Sequence, residues 1–196
     1  MFNISTISYH NWFREMYDYT EESVHIYRRI TAMNLKYFPD NALSVKCVPV
    51  TDFNTESLKD KLAEMRNIMS YHNGVGIAAN QCGYVDAMIL VKDNKGTVHE
   101  FINPKVTATD GSINMSEGCL SSPLIFINVT RAESLTLSYQ DVTGEHHQIM
   151  AEGKEARIIL HEMEHLSGVS YLSHVNRNQR KALLSQLKKY LKKTIA

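Results

Sequence analysis

The chain has 196 residues, 43% of them apolar, with 21 basic and 21 acidic side chains and a formal net charge of zero. That length fits one domain, or one domain with an extension, and the apolar content is enough for a sizeable core. The neutral balance excludes a general nucleic-acid binder, so no DNA partner is expected. The charge is unevenly placed, however. No acidic residue follows Glu164, whereas Arg177, Arg180, Lys181, Lys188, Lys189, Lys192 and Lys193 are basic. Three cysteines, Cys47, Cys82 and Cys119, are too few and too odd a number for a disulfide framework. They point to a reducing compartment, and a cytoplasmic location is expected. The N-terminus lacks a basic start and an apolar run, so no signal peptide is expected. No stretch approaches the length of a membrane span, so no membrane partner is expected.

In chain order, residues 1–36 are dense in aromatic side chains, among them Phe2, Tyr9, Trp12, Phe13, Tyr17, Tyr19 and Tyr27. A disordered tail rarely looks like this. Thr20-Glu21-Glu22-Ser23 opens a helix through Val24, Tyr27, Arg28 and Thr31. The segment reads as an N-terminal helical extension packed on a main body formed by residues 37–196. Pro39-Asp40-Asn41 marks a turn, and Val45 to Val50 reads as a short strand interrupted by Pro49. Asn54 or Thr55 caps a helix whose apolar stripe is Leu58, Leu62, Met65 and Met69, ending before Asn73-Gly74.

Gly74-Val75-Gly76-Ile77-Ala78-Ala79-Asn80-Gln81 follows. Small residues there let a ligand backbone approach closely, and Gln81 ends the loop with a neutral donor. The stretch has neither the lysine of a phosphate loop nor the third glycine of a dinucleotide fingerprint. Ala87 to Val91 is a compact apolar strand, and Asp93-Asn94-Lys95-Gly96 turns it into Val98 to Asn103. After the turn at Asp110-Gly111 comes Glu117-Gly118-Cys119-Leu120-Ser121. Strands follow over Phe126 to Thr130, Leu135 to Tyr139 and Gln148 to Ala151. Gly153 then precedes a helix that Ser167-Gly168 ends. A last helix over 177–193 puts Leu183, Leu184, Leu187, Tyr190 and Leu191 on one side and its basic residues elsewhere. The expected fold is α+β: antiparallel β-sheets packed around one central helix, with a C-terminal helix.

That central helix carries His161-Glu162-Met163-Glu164-His165. Histidines four apart share one helix face, within reach of one cation, and Glu162 can take a proton from water beside it. A catalytic metal site usually has three protein ligands and one open position. The residues alone leave the third ligand open among Cys119, Cys82, His174 and Glu164. A thiolate with two imidazoles suits iron(II) or zinc.

Three stretches together resemble the peptide deformylases. Gly74 to Gln81 is similar to that family's G-x-G-x-A-A-x-Q, Glu117 to Ser121 to its E-G-C-L-S, and His161 to His165 to its H-E-x-x-H. The resemblance spans about residues 35–175. It implies a metal held by Cys119, His161 and His165, with Glu162 as general base and then acid. It implies Gln81 and the backbone N–H of Leu120 as donors to the formyl oxygen. Gly74, Val75, Gly76 and Ile158 would bind substrate, with Gly76 letting the peptide add as a strand. Glu117 and Arg131 would pair behind the metal loop. The implied reaction removes the formyl group from formyl-methionine at the start of nascent polypeptides, releasing formate. The family implies iron(II) as the native metal, with zinc or nickel able to occupy the site. Some bacterial members dock a basic C-terminal helix on ribosomal RNA, so the helix over 177–193 is a candidate for ribosome contact; its plainer reading is a solvated face packed by its leucines.

The chain departs from the family pattern in three places. Glu164 stands where aspartate is common. Lys154-Glu155-Ala156-Arg157 replaces an apolar stretch, part of which lines the methionine pocket. Phe126 stands where many bacterial members have arginine. These changes leave the reaction in place and leave side-chain preference beyond the first residue open. Two rivals are an H-E-x-x-H metallopeptidase that cuts internal amide bonds and a silent binder of formylated N-termini.

Overall fold

The computed structural model describes residues 34–194. The helix expected from Thr20, and all but the last three residues of the extension over 1–36, lie outside the described residues. Three helices and seven strands follow: α1 (Glu56–Tyr71), β1 (Gly76–Ala78), β2 (Met88–Lys92), β3 (Val98–Asp110), β4 (Ile113–Cys119), β5 (Ser122–Arg131), β6 (Ser134–Gln140), β7 (His146–Glu152), α2 (Gly153–Leu166) and α3 (Arg177–Thr194). A five-stranded sheet has the order β1-β2-β3-β6-β7, and β4-β5 forms a separate hairpin. Every pairing is antiparallel. The architecture is α+β.

Helix α1 forms where its stripe predicts. Thr55 caps it, its side chain accepting from the Leu58 N–H at 3.2 Å, so the earlier alternative, Asn54, is not the cap. Leu58, Leu62, Met65, Ile68 and Met69 are its buried positions. Asn73 then adopts φ 54°, and the Gly74 N–H bonds the Met69 carbonyl at 2.8 Å, which ends the helix and sends the chain into β1.

Strand β2 explains why the middle of the sheet reads as a continuous apolar run. Met88 and Leu90 pack in the core of α1, whereas Ile89 and Val91 pack in the core of α2. Successive side chains point to opposite faces, so a strand covered on both sides needs apolar residues at every position. Ala156, Ile158, Ile159 and Leu166 of α2 lie on that sheet, while Arg157 and His161 reach the β4–β5 hairpin. Helix α2 thus lies between the two sheets. Helix α3 buries Leu187 against Ile125, Ile127 and Val129 of β5.

Two expectations need correction. The strand expected from Val45 to Val50 reduces to one parallel bridge between Val48 and Asp86. Pro49 supplies no N–H, and Val50 is held instead by the Asn103 side chain, which accepts from its N–H and donates to its carbonyl at 2.8 Å each. The strand expected to stop at Asn103 runs on to Asp110. The register shifts between Ile102 and Lys105, and Asn103 has φ 52°, so a bulge absorbs Pro104. Among the described residues no helix is long and apolar enough to cross a membrane.

Leu62 is 2% exposed. Leu62→Ala should destabilise the fold by about 2–5 kcal/mol in urea unfolding. Lys59→Ala on the exposed face should change it by less than about 0.5 kcal/mol.

Candidate metal centre

Three separate stretches converge. Helix α2 supplies His161 and His165, whose rings meet edge to face with centroids 5.2 Å apart. Cys119 is the last residue of β4, just before the two-residue turn Leu120-Ser121 that reverses the chain into β5. Its Sγ lies 3.2 Å from His165 Nε2. The ligand atoms of Cys119, His161 and His165 all lie within 4.8 Å of one another. The other candidates for a third ligand are elsewhere. Cys82 is packed in the core of α1, and His174 pairs with Glu164 at 2.7 Å.

The donor set fits a metal ion. The Glu117 carboxyl is held down at about 2: burial works against its charge, but hydrogen bonds from His161 and Arg131 outweigh it. A carboxylate only accepts, so His161 donates from Nδ1 to Glu117 Oε2 at 3.1 Å. With Nδ1 so engaged, Nε2 is the His161 nitrogen that could bind a cation, which would displace a proton held there. At His165, Nε2 faces the thiol, while Nδ1 has no hydrogen-bond partner among the described residues. Burial disfavours a charge on both rings. It wins at His165, helped by positive His161 and Arg131, and is outweighed at His161 by Cys119 and Glu117. Soft sulfur with two imidazoles is the ligand chemistry of iron and zinc sites.

Glu117 is the hub beneath this cluster. Arg131 donates from Nε to Glu117 Oε1 at 2.6 Å and from Nη2 to Oε2 at 2.9 Å. The same guanidinium holds Glu164 through Nη1 at 2.9 Å and Nη2 at 3.0 Å. Arg157 turns inward and donates from Nη1 to Glu117 as well. It is 4% exposed.

Glu162 is buried and one of its oxygens, Oε2, has no partner among the described residues. Burial pushes its carboxyl up to about 7, with His161 and Arg131 pulling the other way. Glu162 lines a cavity of about 560 Å³ together with Cys119, His161, Leu120, Ile158 and the Gly74–Gly76 stretch. A Cβ at Gly76 would lie 2.4 Å from Glu162 Oε1 and 2.6 Å from Ile158 Cγ2, so only glycine fits between the strand and the acid. Strand β1 is the edge of its sheet, paired on one side with β2. Val75, next to it, is half-exposed and accepts from the Lys92 N–H at 2.8 Å.

Gln81 is buried at the inner end of the same stretch. Its Oε1 accepts from the Ala78 N–H at 2.8 Å, which fixes the amide orientation. Its Nε2 then points at Ser121 Oγ at 3.1 Å and Cys119 Sγ at 3.6 Å. The site residues singled out in the sequence therefore lie in or directly behind one cavity.

Sequence reasoning missed three supporting residues and named a fourth, Arg157, only as a departure from the family pattern. Asn80 donates to the His165 carbonyl, tying the glycine stretch to the end of α2. Ser121 meets Gln81. Tyr171 packs against His161 at 5.3 Å between centroids and donates to the Ile125 carbonyl at 3.0 Å. Arg157 closes on Glu117. Asn80 and Ser121 lie inside the first two motifs, which could have flagged them; Tyr171 and the direction of Arg157 carry no local signal.

The family model described as polypeptide deformylase matches residues 32–181. The peptide deformylase of Wolinella succinogenes is 38% identical over 159 residues, covering 78% of this chain and 93% of that protein. Among solved structures, a peptide deformylase from Legionella pneumophila has a TM-score of 0.77 at 30% identity, covering 81% of this chain and 94% of that one. The peptide deformylase from Thermus thermophilus has a TM-score of 0.73 at 30% identity, covering 82% and 98%. By its family match, its relatives and its fold, the chain belongs to the peptide deformylase family.

Proposed function

We propose that this chain is a metal-dependent hydrolase that removes the formyl group from formyl-methionine at the N-terminus of nascent polypeptides, releasing formate and a free amine. The observation that carries the reading is the meeting of Cys119, His161 and His165 within 4.8 Å of one another, with Cys119 and His161 lining one cavity with Glu162 and the start of β1. Cys119, His161 and His165 would hold one divalent metal per chain; iron(II) is the native ion proposed, with zinc or nickel as replacements. When bound, the metal supplies a Lewis acid that polarises the formyl oxygen and makes water a nucleophile near neutral pH.

The chain's own residues do the rest. Glu162, raised to about 7 by burial, takes the proton from water and returns it to the leaving amine. Gln81 Nε2 and the Leu120 N–H donate to the formyl oxygen as negative charge develops on it. Both are already held, Gln81 by Ala78 and Ser121 and Leu120 by the hairpin turn. The stretch Gly74, Val75 and Gly76, leading into the edge strand β1, takes the substrate main chain as an added strand, and Ile158 packs against the first side chain. Glu117 and Arg131 orient His161 from behind. Free thiols at Cys47, Cys82 and Cys119 support a reducing compartment, the cytoplasm.

We also propose that α3 assists ribosome docking. Arg177, Lys181, Lys188, Lys189 and Lys192 are exposed on it, while Leu187 anchors it to β5. A polyanion would bind that face in a salt-dependent way.

Anaerobically purified protein with its metal quantified should release formate from formyl-Met-Ala-Ser and leave the internal bonds intact. Cleavage of unformylated peptides would favour the metallopeptidase instead. Glu162→Gln should lower formate release at least about 10³-fold while metal content stays the same; activity close to that of the unaltered chain would remove Glu162 from the mechanism. Replacing Lys181, Lys188, Lys189 and Lys192 by glutamate should abolish ribosome co-sedimentation at low salt, and unchanged co-sedimentation would remove the docking role.

A further inference from the structure

Strand β5 alternates cleanly over most of its length. Ile125, Ile127 and Val129 are buried, and Leu124, Phe126, Asn128 and Thr130 are exposed on its other face. A face turned to water calls for polar side chains, which Asn128 and Thr130 supply. Leu124 and Phe126 break that rule, at 72% and 70% exposed. These two line the cavity that also holds Cys119 and Glu162, whereas Asn128 and Thr130 do not.

The backbone is arranged to present both side chains there. Phe126 pairs with Gly118 across the hairpin. A Cβ at Gly118 would lie 2.7 Å from Phe126 Cε1, so the ring lies over β4, one residue before Cys119, and only glycine leaves it room. Leu124 has φ 64°, a conformation that asparagine or glycine adopts at less cost. Burial explains neither choice, because an apolar side chain left in water contributes nothing to the core.

A nascent polypeptide continues past its first residue, so it leaves the cavity over the exposed part of the lining. Val75, Met115, Leu124 and Phe126 give that part apolar surface, beside the polar Asn73, Ser116 and Lys154. We propose that Leu124 and Phe126 are specificity-determining residues that select apolar side chains on the residues following methionine. The proposal rests on the deformylase reading above. An extended substrate lays its successive side chains against whatever flanks the strand it joins, and those that cover Leu124 and Phe126 remove apolar surface from water on both partners.

The test compares kcat/KM for formate release from formyl-Met-Leu-Leu and formyl-Met-Asn-Asn. Leucine and asparagine are close in shape and both are neutral, so the charge of Lys154 acts alike on the two peptides. The unaltered chain should prefer the leucine peptide by about tenfold or more. Leu124→Asn combined with Phe126→Thr should reduce the preference to about twofold or less. Asparagine suits the positive φ at 124 and threonine suits an exposed strand position, so the hairpin is retained. Any shift of the metal loop through Gly118 acts on both peptides and cancels in the ratio, so a merely structural role would leave the ratio unmoved. Equal kcat/KM for the two peptides on the unaltered chain overturns the proposal. So does a preference that survives both substitutions; a dimer that the substitutions split in sedimentation velocity would then give the patch to a second copy of the chain. No formate from either peptide would overturn the deformylase reading, and the proposal with it.

Discussion

The Glu117 carboxylate is the constraint on which the site depends. Oε1 receives Arg131 Nε and Arg157 Nη1, and Oε2 receives Arg131 Nη2 and His161 Nδ1. Four donors from β5 and α2 thus meet one acceptor on β4. A charge this buried is tolerable only when it is fully paired, so the strands and the helix have one relative placement that satisfies it. That placement orients the His161 ring and brings Cys119, two residues further along β4, to the face of α2 that carries both histidines. Glu164 extends the network to His174 through Arg131, so it braces the cluster from outside.

The second constraint is steric. Strand β1 passes so close to α2 that a Cβ at Gly76 would collide with Glu162 and Ile158. The strand can sit there because β2 anchors it and because Asn80 and Gln81 tie its far end to α2 and to the β4–β5 turn. An acid, an unpaired strand edge and a donor amide are thereby held on rigid elements rather than on free loops. Preorganised donors and a buried acid act without rearranging as charge develops, which is where such a site gains its rate.

What the sequence made legible follows the range of the interactions involved. The α1 stripe, the β2 run and the His161–His165 spacing are local periodicities, and each appears where its spacing puts it. The three motifs led to one cavity because they also carry a family resemblance; spacing alone left the third ligand open between Cys119 and three others. The failures are long-range. Val45 to Val50 has strand-like composition but its partner for Val50 is the side chain of Asn103, on another strand. The strand read from Val98 to Asn103 is carried past Pro104 to Asp110 by a bulge whose partner is β6. Strand β4 alternates poorly, with Met115 half-exposed and Gly118 without a side chain, so only its motif was visible. The direction of Arg157 depends on acceptors 28 to 44 positions away.

The proposed ligand set is tested most directly by X-ray absorption on the anaerobically purified, metal-loaded protein. One sulfur scatterer at about 2.3 Å and two imidazole nitrogens at about 2.0–2.1 Å are expected for a zinc-loaded sample. The sulfur contribution should be lost in Cys119→Ser. A metal shell without sulfur in the unaltered protein, or one whose sulfur survives Cys119→Ser, would contradict a centre built from Cys119, His161 and His165.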